Sequence, residues 1–185
     1  ASQGIQVDYL VNNAGFGDCS PFLEAEWERQ EQMVQLNITS LMQLTQLYGR
    51  DMKERGFGRI LNVSSVAAFA PGPYMANYYA TKAHVLSFSQ AVNQELKGSN
   101  VTVTVLCPGP TATGFEKNAH IKGAKSFTLL KNQSAKSVAE LGYRAMIRGK
   151  TCANHGFFTK LMNLGARLTP TKISTSVVAW LNKNR

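Results

Sequence analysis

Ser65, Tyr78 thirteen residues later and Lys82 one helical turn beyond it form the set of side chains in this sequence best suited to proton transfer. Residues four apart on a helix share a face, and a lysine side chain leans back towards the preceding turn, so Lys82 is expected beside the Tyr78 ring. A neighbouring ammonium favours phenolate and lowers a phenol from its usual pKa of about 10 towards working pH. Such a phenol serves as general acid towards a carbonyl or general base towards an alcohol. The Ser65 hydroxyl can hold the reacting oxygen beside it. Ser64 reads instead as a strand-end hydroxyl bonded to local backbone. Asn37 is a further candidate, because it stands four residues after Met33 and four before Leu41, a polar side chain on an otherwise apolar helical face. Buried there, its amide must find partners.

These residues have to be positioned by elements that alternate along the chain. Val7 to Val11 reads as a buried strand closed by Asn12-Asn13-Ala14-Gly15, Arg59 to Val63 as a second strand ending at Ser64-Ser65, and Val101 to Cys107 as a third ending at Pro108-Gly109. Between them, helical spacing runs from about Glu24 to Lys53, with Met33, Leu41, Leu44 and Tyr48 inward. It returns from about Ala76 to Lys97, with Val85, Phe88, Val92 and Leu96 inward. Further helical stretches are expected over Lys136–Ile147, Phe157–Leu168 and Ile173–Asn182. Strands alternating with helices indicate an α/β fold with a doubly wound parallel sheet. In such sheets ligands bind beyond the carboxyl ends of the strands, where Asn12–Gly15, Ser64-Ser65 and Pro108-Gly109 all lie. No repeat or low-complexity linker interrupts the chain, so residues 1–185 are read as one domain.

Together, Asn12-Asn13-Ala14-Gly15, Asn62-Val63-Ser64-Ser65, Tyr78-x-x-x-Lys82 and Pro108-Gly109 with Thr113 resemble the short-chain dehydrogenase/reductase family, above all its broad-specificity and ketoacyl- or ketosteroid-reductase-like members. The resemblance runs from about Val7 to Phe115 and implies a Rossmann-like fold and an oxidoreductase exchanging hydride between NAD or NADP and a carbonyl/alcohol pair, with NADP slightly favoured. It implies that Tyr78 is the acid/base, Ser65 orients substrate, Lys82 also bonds the nicotinamide ribose, and Asn37 holds a water relaying protons to the lysine. Asn13, Ala14, Gly15, Tyr78, Lys82, Pro108, Gly109, Thr111 and Thr113 are the cofactor contacts it implies, Phe115–Asn132 the substrate lid, and a homodimer or homotetramer the assembly. Residue by residue, Thr111 and Thr113 can equally be caps, Tyr74 and Met75 can line substrate or core, and Asn37 can be a structural amide. The family's Gly-x-x-x-Gly-x-Gly turn, which meets the pyrophosphate, has no match here. The chain is therefore expected to correspond to the later two-thirds of such a protein. Alternatives are a 3-ketoacyl carrier-protein reductase and a non-enzymatic binding scaffold.

Composition narrows the field. The chain is 44% hydrophobic and 17% charged, and it holds no apolar run near the ~20 residues of a membrane span. Cys19, Cys107 and Cys152 are odd in number and form no C-x-x-C, which argues for a reducing, cytoplasmic setting. With His84, His120 and His155 scattered as well, no metal site is expected. Residues 111–185 carry thirteen Lys/Arg against two Asp/Glu, whereas residues 1–110 are nearly balanced. The basic C-terminal segment over 157–185 could thus meet an anionic partner, although a solvated basic face explains it too. Specific nucleic-acid binding is not expected.

Overall fold

The computed structural model describes residues 5–121, 133–156, 165 and 169–183. Four strands, β1 (Tyr9–Asn12), β2 (Gly58–Val63), β3 (Val101–Cys107) and β6 (Cys152–Asn154), lie side by side in that order, and every pairing is parallel. A separate two-residue pair joins β4 (Thr111–Ala112) to β5 (Gln133–Ser134). Parallel strands require crossovers, and these supply α1 (Trp27–Val34), α2 (Leu41–Arg55), α3 (Ala76–Glu95) and α5 (Ala135–Ile147). The short α4 (Phe115–Asn118) and the C-terminal α6 (Thr171–Asn182) complete the described helices.

Side chains alternate across β2 and β3 and so divide the core between two faces. Ile60, Val101 and Val103 pack with Met52 of α2, and Val105 packs with Leu41 of α2 and Val85 of α3. On the opposite face Leu61 and Leu106 meet Val138, Ala145 and Met146 of α5. Helices on both faces of a parallel sheet make the doubly wound arrangement expected from the alternating pattern. At β1, by contrast, Tyr9 and Val11 are about half exposed.

The helix expected over Glu24–Lys53 is interrupted. Gln35–Ser40 forms a π-helical turn between α1 and α2, and Asn37 sits inside it. A π turn takes in more residues than an α turn. Inward positions consequently fall every four residues at Met33, Asn37, Leu41 and Thr45, all buried, while Leu44, expected inward, is 40% exposed. The expected Phe157–Leu168 helix lies outside the described residues except for Gly165, and so does the lid region beyond Ile121.

A polar ladder ties the strand ends to the helices. Asn12 Nδ2 donates to Thr45 Oγ1 at 3.1 Å and to Asn62 Oδ1 at 2.8 Å, and Asn62 Nδ2 donates to Ser89 Oγ at 2.9 Å. Because these groups are buried, each bond offsets a desolvation cost that would otherwise be about 1–3 kcal/mol per unpaired group. Register between β1, β2, α2 and α3 is thereby fixed directly beneath the site.

Candidate active site

The carboxyl ends of β1, β2 and β3 open on a cavity of about 920 Å³ lined by Ser65, Tyr78, Lys82, Asn13 and Gly15. Ser65 lies just past β2 in extended conformation, its Oγ accepting from Ala67 N at 3.1 Å and hydrogen-bonding the Tyr78 phenol. Tyr78 is in the first turn of α3, 8% exposed, with Phe115 at 5.3 Å and Tyr79 at 6.1 Å between ring centroids. Lys82 is buried one turn on, its Nζ 5.8 Å from the Tyr78 ring centroid and donating to the Val63 carbonyl at 3.0 Å. Ser64 is bonded to backbone as expected, although not locally: its Oγ donates to the Lys82 carbonyl at 2.7 Å and fastens the helix to the strand end.

One expectation needs correction. The Tyr78 phenol is not lowered towards working pH. Burial pushes it well above its ordinary value, and the Ser65 hydrogen bond offsets only part of that rise. Lys82 does not offset that rise: burial brings its own pKa down to about 8, and its Nζ donates to the Val63 carbonyl. Desolvation of both groups outweighs their spacing.

Asn37 is buried behind the cavity and is not among the residues lining it. Its Oδ1 accepts from Phe16 N at 3.1 Å, and its Nδ2 donates to Phe16 O at 2.9 Å and to Thr81 Oγ1 at 3.1 Å. Both backbone groups of Phe16 are thereby held, which is the structural reading of Asn37. The same oxygen also approaches the site, since a Cβ built on Gly15 would meet Asn37 Oδ1 at 2.9 Å and Lys82 Nζ at 3.4 Å. Only glycine leaves that gap open. Spacing alone did not reveal Thr81, which is buried and whose hydroxyl bridges Asn37 to the Tyr78 carbonyl at 2.7 Å.

The remaining expected contacts divide. Asn13, Gly15, Pro108, Gly109, Thr111 and Thr113 line the cavity, whereas Ala14 is exposed and does not. Thr111 Oγ1 donates to Gly109 O at 2.9 Å, and Thr113 Oγ1 accepts from Phe115 N at 3.2 Å, so both also bond local backbone, although neither is a helix N-cap. Met75 lines the cavity, while Tyr74, at φ 66°, packs in the cluster behind it. A wall that the spacing did not announce comes from α6. Val178, Leu181 and Asn182 line the cavity, and Asn182 Nδ2 donates to Tyr79 Oη at 3.1 Å and to Pro73 O at 3.2 Å. Among the described residues no group of three or more His, Cys, Asp or Glu could hold a metal ion, and no helix is long and apolar enough to cross a membrane.

A family model described as short chain dehydrogenase matches residues 2–123. Acetoacetyl-CoA reductase of Acinetobacter sp. (strain RA3849) is 40% identical over 113 residues, which cover 61% of this chain and 45% of the relative. The ketoacyl reductase HetN of Nostoc sp. (strain PCC 7120 / SAG 25.82 / UTEX 2576) is 31% identical over 175 residues, 90% of this chain and 60% of the relative. Among solved structures, a short-chain dehydrogenase from Sphingobium yanoikuyae in complex with NADPH superposes with a TM-score of 0.76 at 29% identity, covering 90% of this chain and 65% of that one. The chain thus spans about half the length of the first curated relatives it matches, 45% and 49%.

Proposed function

Because the chain belongs to the short-chain dehydrogenase family, we propose that it carries the proton-transfer half of a nicotinamide-dependent oxidoreductase interconverting a carbonyl and an alcohol. The observation that carries this is the convergence of Ser65, Tyr78 and Lys82 on one cavity at the carboxyl ends of three parallel strands. In the direction of reduction, Tyr78 Oη gives its proton to the substrate oxygen while Ser65 Oγ holds that oxygen in place. A phenol kept protonated by burial is the form this step consumes. Lys82 and Thr81 fix the turn of α3 that bears the ring, and Asn37 fixes the loop opposite.

The donor set fits a nicotinamide dinucleotide. The narrow gap at Gly15 between Asn37 and Lys82, and the small residues of the Pro108–Gly109 turn, let backbone approach a ligand closely. Asn13, Gly15, Lys82, Thr111 and Thr113 would hold it, with Ala14 contributing backbone only. When bound, the dinucleotide supplies or accepts the hydride. NADP is favoured by the NADPH of the Sphingobium structure. Apolar walls from Phe69, Met75, Val138, Met146 and Leu181 suit a substrate whose carbonyl is attached to an apolar body. Buried Cys19 and Cys107 thiols accord with a reducing compartment such as the cytoplasm.

A second reading, a 3-ketoacyl group presented by an acidic carrier protein, is favoured by the thirteen basic residues against two acidic ones over 111–185. A non-enzymatic scaffold is disfavoured by the assembled Ser65–Tyr78 pair. The test is oxidation of NADPH and NADH by the full-length protein against free and carrier-bound ketones. Turnover of free apolar ketones supports the first reading, activity confined to the carrier-bound ketone supports the second, and no turnover with any of them overturns both.

Assembly as a homodimer or homotetramer is supported by α2, which leaves Leu44 and Leu47 40% and 65% exposed, with Met42 at 37% and Val34 of α1 at 37%. Leu44 and Leu47, three residues apart on α2, share an exposed apolar face of the kind a second copy would cover. Leu47→Glu is expected to turn the full-length oligomer into monomer at micromolar concentration in sedimentation. A wild-type protein already monomeric there rules the assembly out.

A further inference from the structure

Among the described residues, a further buried charge outside the Ser65–Tyr78–Lys82 set is Asp18, whose side chain is 6% exposed in the loop after β1. Its carboxylate accepts from Ser20 Oγ at 2.6 Å, Arg29 Nε at 2.9 Å and Gln30 Nε2 at 3.0 Å, and His120 Nδ1 stands 3.2 Å away. Burial alone would raise its pKa. The bonds from Ser20 and Arg29, the Arg29 charge and the bond from His120 prevail and hold it below the ordinary carboxylate value. A buried carboxylate satisfied this fully is rigid, and removing its charge leaves an arginine without its partner.

Two arms leave this centre: one ends at the Tyr78 ring and the other at Asn77, the residue before it. Along the first, Arg29 Nη2 donates to the Gly17 carbonyl at 3.3 Å and to the Asn118 carbonyl, while Cys19 N donates to Ala119 O at 2.9 Å. These bonds press α4 against the loop and set Phe115 on the Tyr78 ring. The packing is close enough that a Cβ on Gly17 would lie 2.9 Å from Phe115 Cζ and 3.2 Å from Tyr78 Cδ2. Along the second, Gln30 accepts from Asn77 Nδ2 at both its backbone oxygen and its Oε1, each at 3.1 Å. Asn77 immediately precedes Tyr78 in the first turn of α3.

We propose that Asp18 is a positioning residue, which through Arg29 and Gln30 fixes both the Phe115 wall and the first turn of the helix bearing Tyr78, and so sets how a carbonyl substrate meets the phenol. This rests on the oxidoreductase reading. Asp18→Asn keeps the shape but removes the charge. Arg29→Lys keeps the charge opposite Asp18 but loses the fork that reaches the Gly17 and Asn118 carbonyls. Arg55→Ala serves as control, because it breaks the exposed Asp8 and Asp51 pairs at the other end of β1.

Two measurements on the full-length protein decide the matter. In amide hydrogen exchange, either Asp18→Asn or Arg29→Lys is expected to speed Cys19, Ala119 and Tyr79 about tenfold while β2 and β3 change less than twofold. In kinetics, KM for an apolar ketone is expected to rise about tenfold with KM for the dinucleotide unchanged, and Arg55→Ala to move neither. Should Asp18→Asn fail to fold, Arg29→Lys carries both measurements. Unchanged exchange at Cys19, Ala119 and Tyr79, faster exchange spread through the whole sheet, or faster local exchange with an unchanged ketone KM overturns the positioning role. A wild-type protein that transfers no hydride overturns the oxidoreductase reading and the substrate-facing role with it. In that case the exchange result still decides whether Asp18 clamps α4 to α3.

Discussion

Tyr78→Phe in the full-length protein is expected to lower turnover by about 10²–10⁴-fold, the range that general acid–base catalysis supplies, with dinucleotide affinity nearly unchanged. The substitution deletes only Oη. The ring keeps its place, because Phe115 at 5.3 Å and Tyr79 at 6.1 Å pack against its faces and edge and not against the hydroxyl. Folding stability should change by no more than about 1 kcal/mol, since one neutral hydrogen bond to Ser65 is lost and a buried hydroxyl no longer has to be satisfied. Turnover and stability therefore separate, and that separation distinguishes a proton donor from a packing residue. Retention of more than about a tenth of wild-type turnover, with hydride transfer otherwise intact, would remove Tyr78 from the acid/base role.

How far the site could be read from the chain follows from which signals are local. Ser65, Tyr78 and Lys82 were legible because Ser65 marks one strand end and a single helical turn separates Tyr78 from Lys82, and all three line one cavity. Asn37 was legible as a polar interruption of an apolar face, but its π turn was not. A helical pattern with a period near four resembles ordinary α spacing until Leu44 is found exposed and Thr45 buried. Whether Gly15 is a plain turn or a close approach depends on Asn37, twenty-two residues on, and on Lys82, so its own neighbourhood carries no sign of the gap it keeps open.

Other parts of the site depend on pairings that sequence spacing does not encode. Asp18 meets His120 across 102 positions, and Tyr79 meets Asn182 across 103, so neither contact has a periodic signature. The sign of the Tyr78 shift is hidden from the sequence for a related reason. Spacing to Lys82 is visible in the sequence, whereas the depth of burial that outweighs it is a property of the packed cluster around Cys19, Met33, Ala67 and Met75. Charge proximity and desolvation act in opposite directions on the phenol, and only the fold determines which is larger.

The same competition makes Lys82 the most pH-sensitive element of the site, and Lys82→Met should expose it. Burial lowers the lysine from 10.5 to about 8. Below pH 8 the folded protein therefore bears the full penalty of an enclosed ammonium. Between about pH 8 and 10.5 the folded state has released a proton that the unfolded state still binds, so stability rises with pH across that window. Tyr78, pushed upward, acts in the opposite sense, but only above pH 10, where the unfolded phenol ionises and the folded one does not. In urea unfolding of the full-length protein without dinucleotide, wild type is thus expected to gain about 2 kcal/mol relative to Lys82→Met between pH 7 and pH 9.5. A difference that stays constant across that interval would show that Lys82 is not desolvated as its contact with the Val63 carbonyl implies. In the same variant turnover should fall at least 10²-fold. Dinucleotide affinity should weaken as well, because the lysine lost from beside Gly15 and Asn37 is the cation nearest the proposed ligand path. A protein that tolerated the loss of this buried cation with its affinity intact would place the dinucleotide elsewhere than along Gly15.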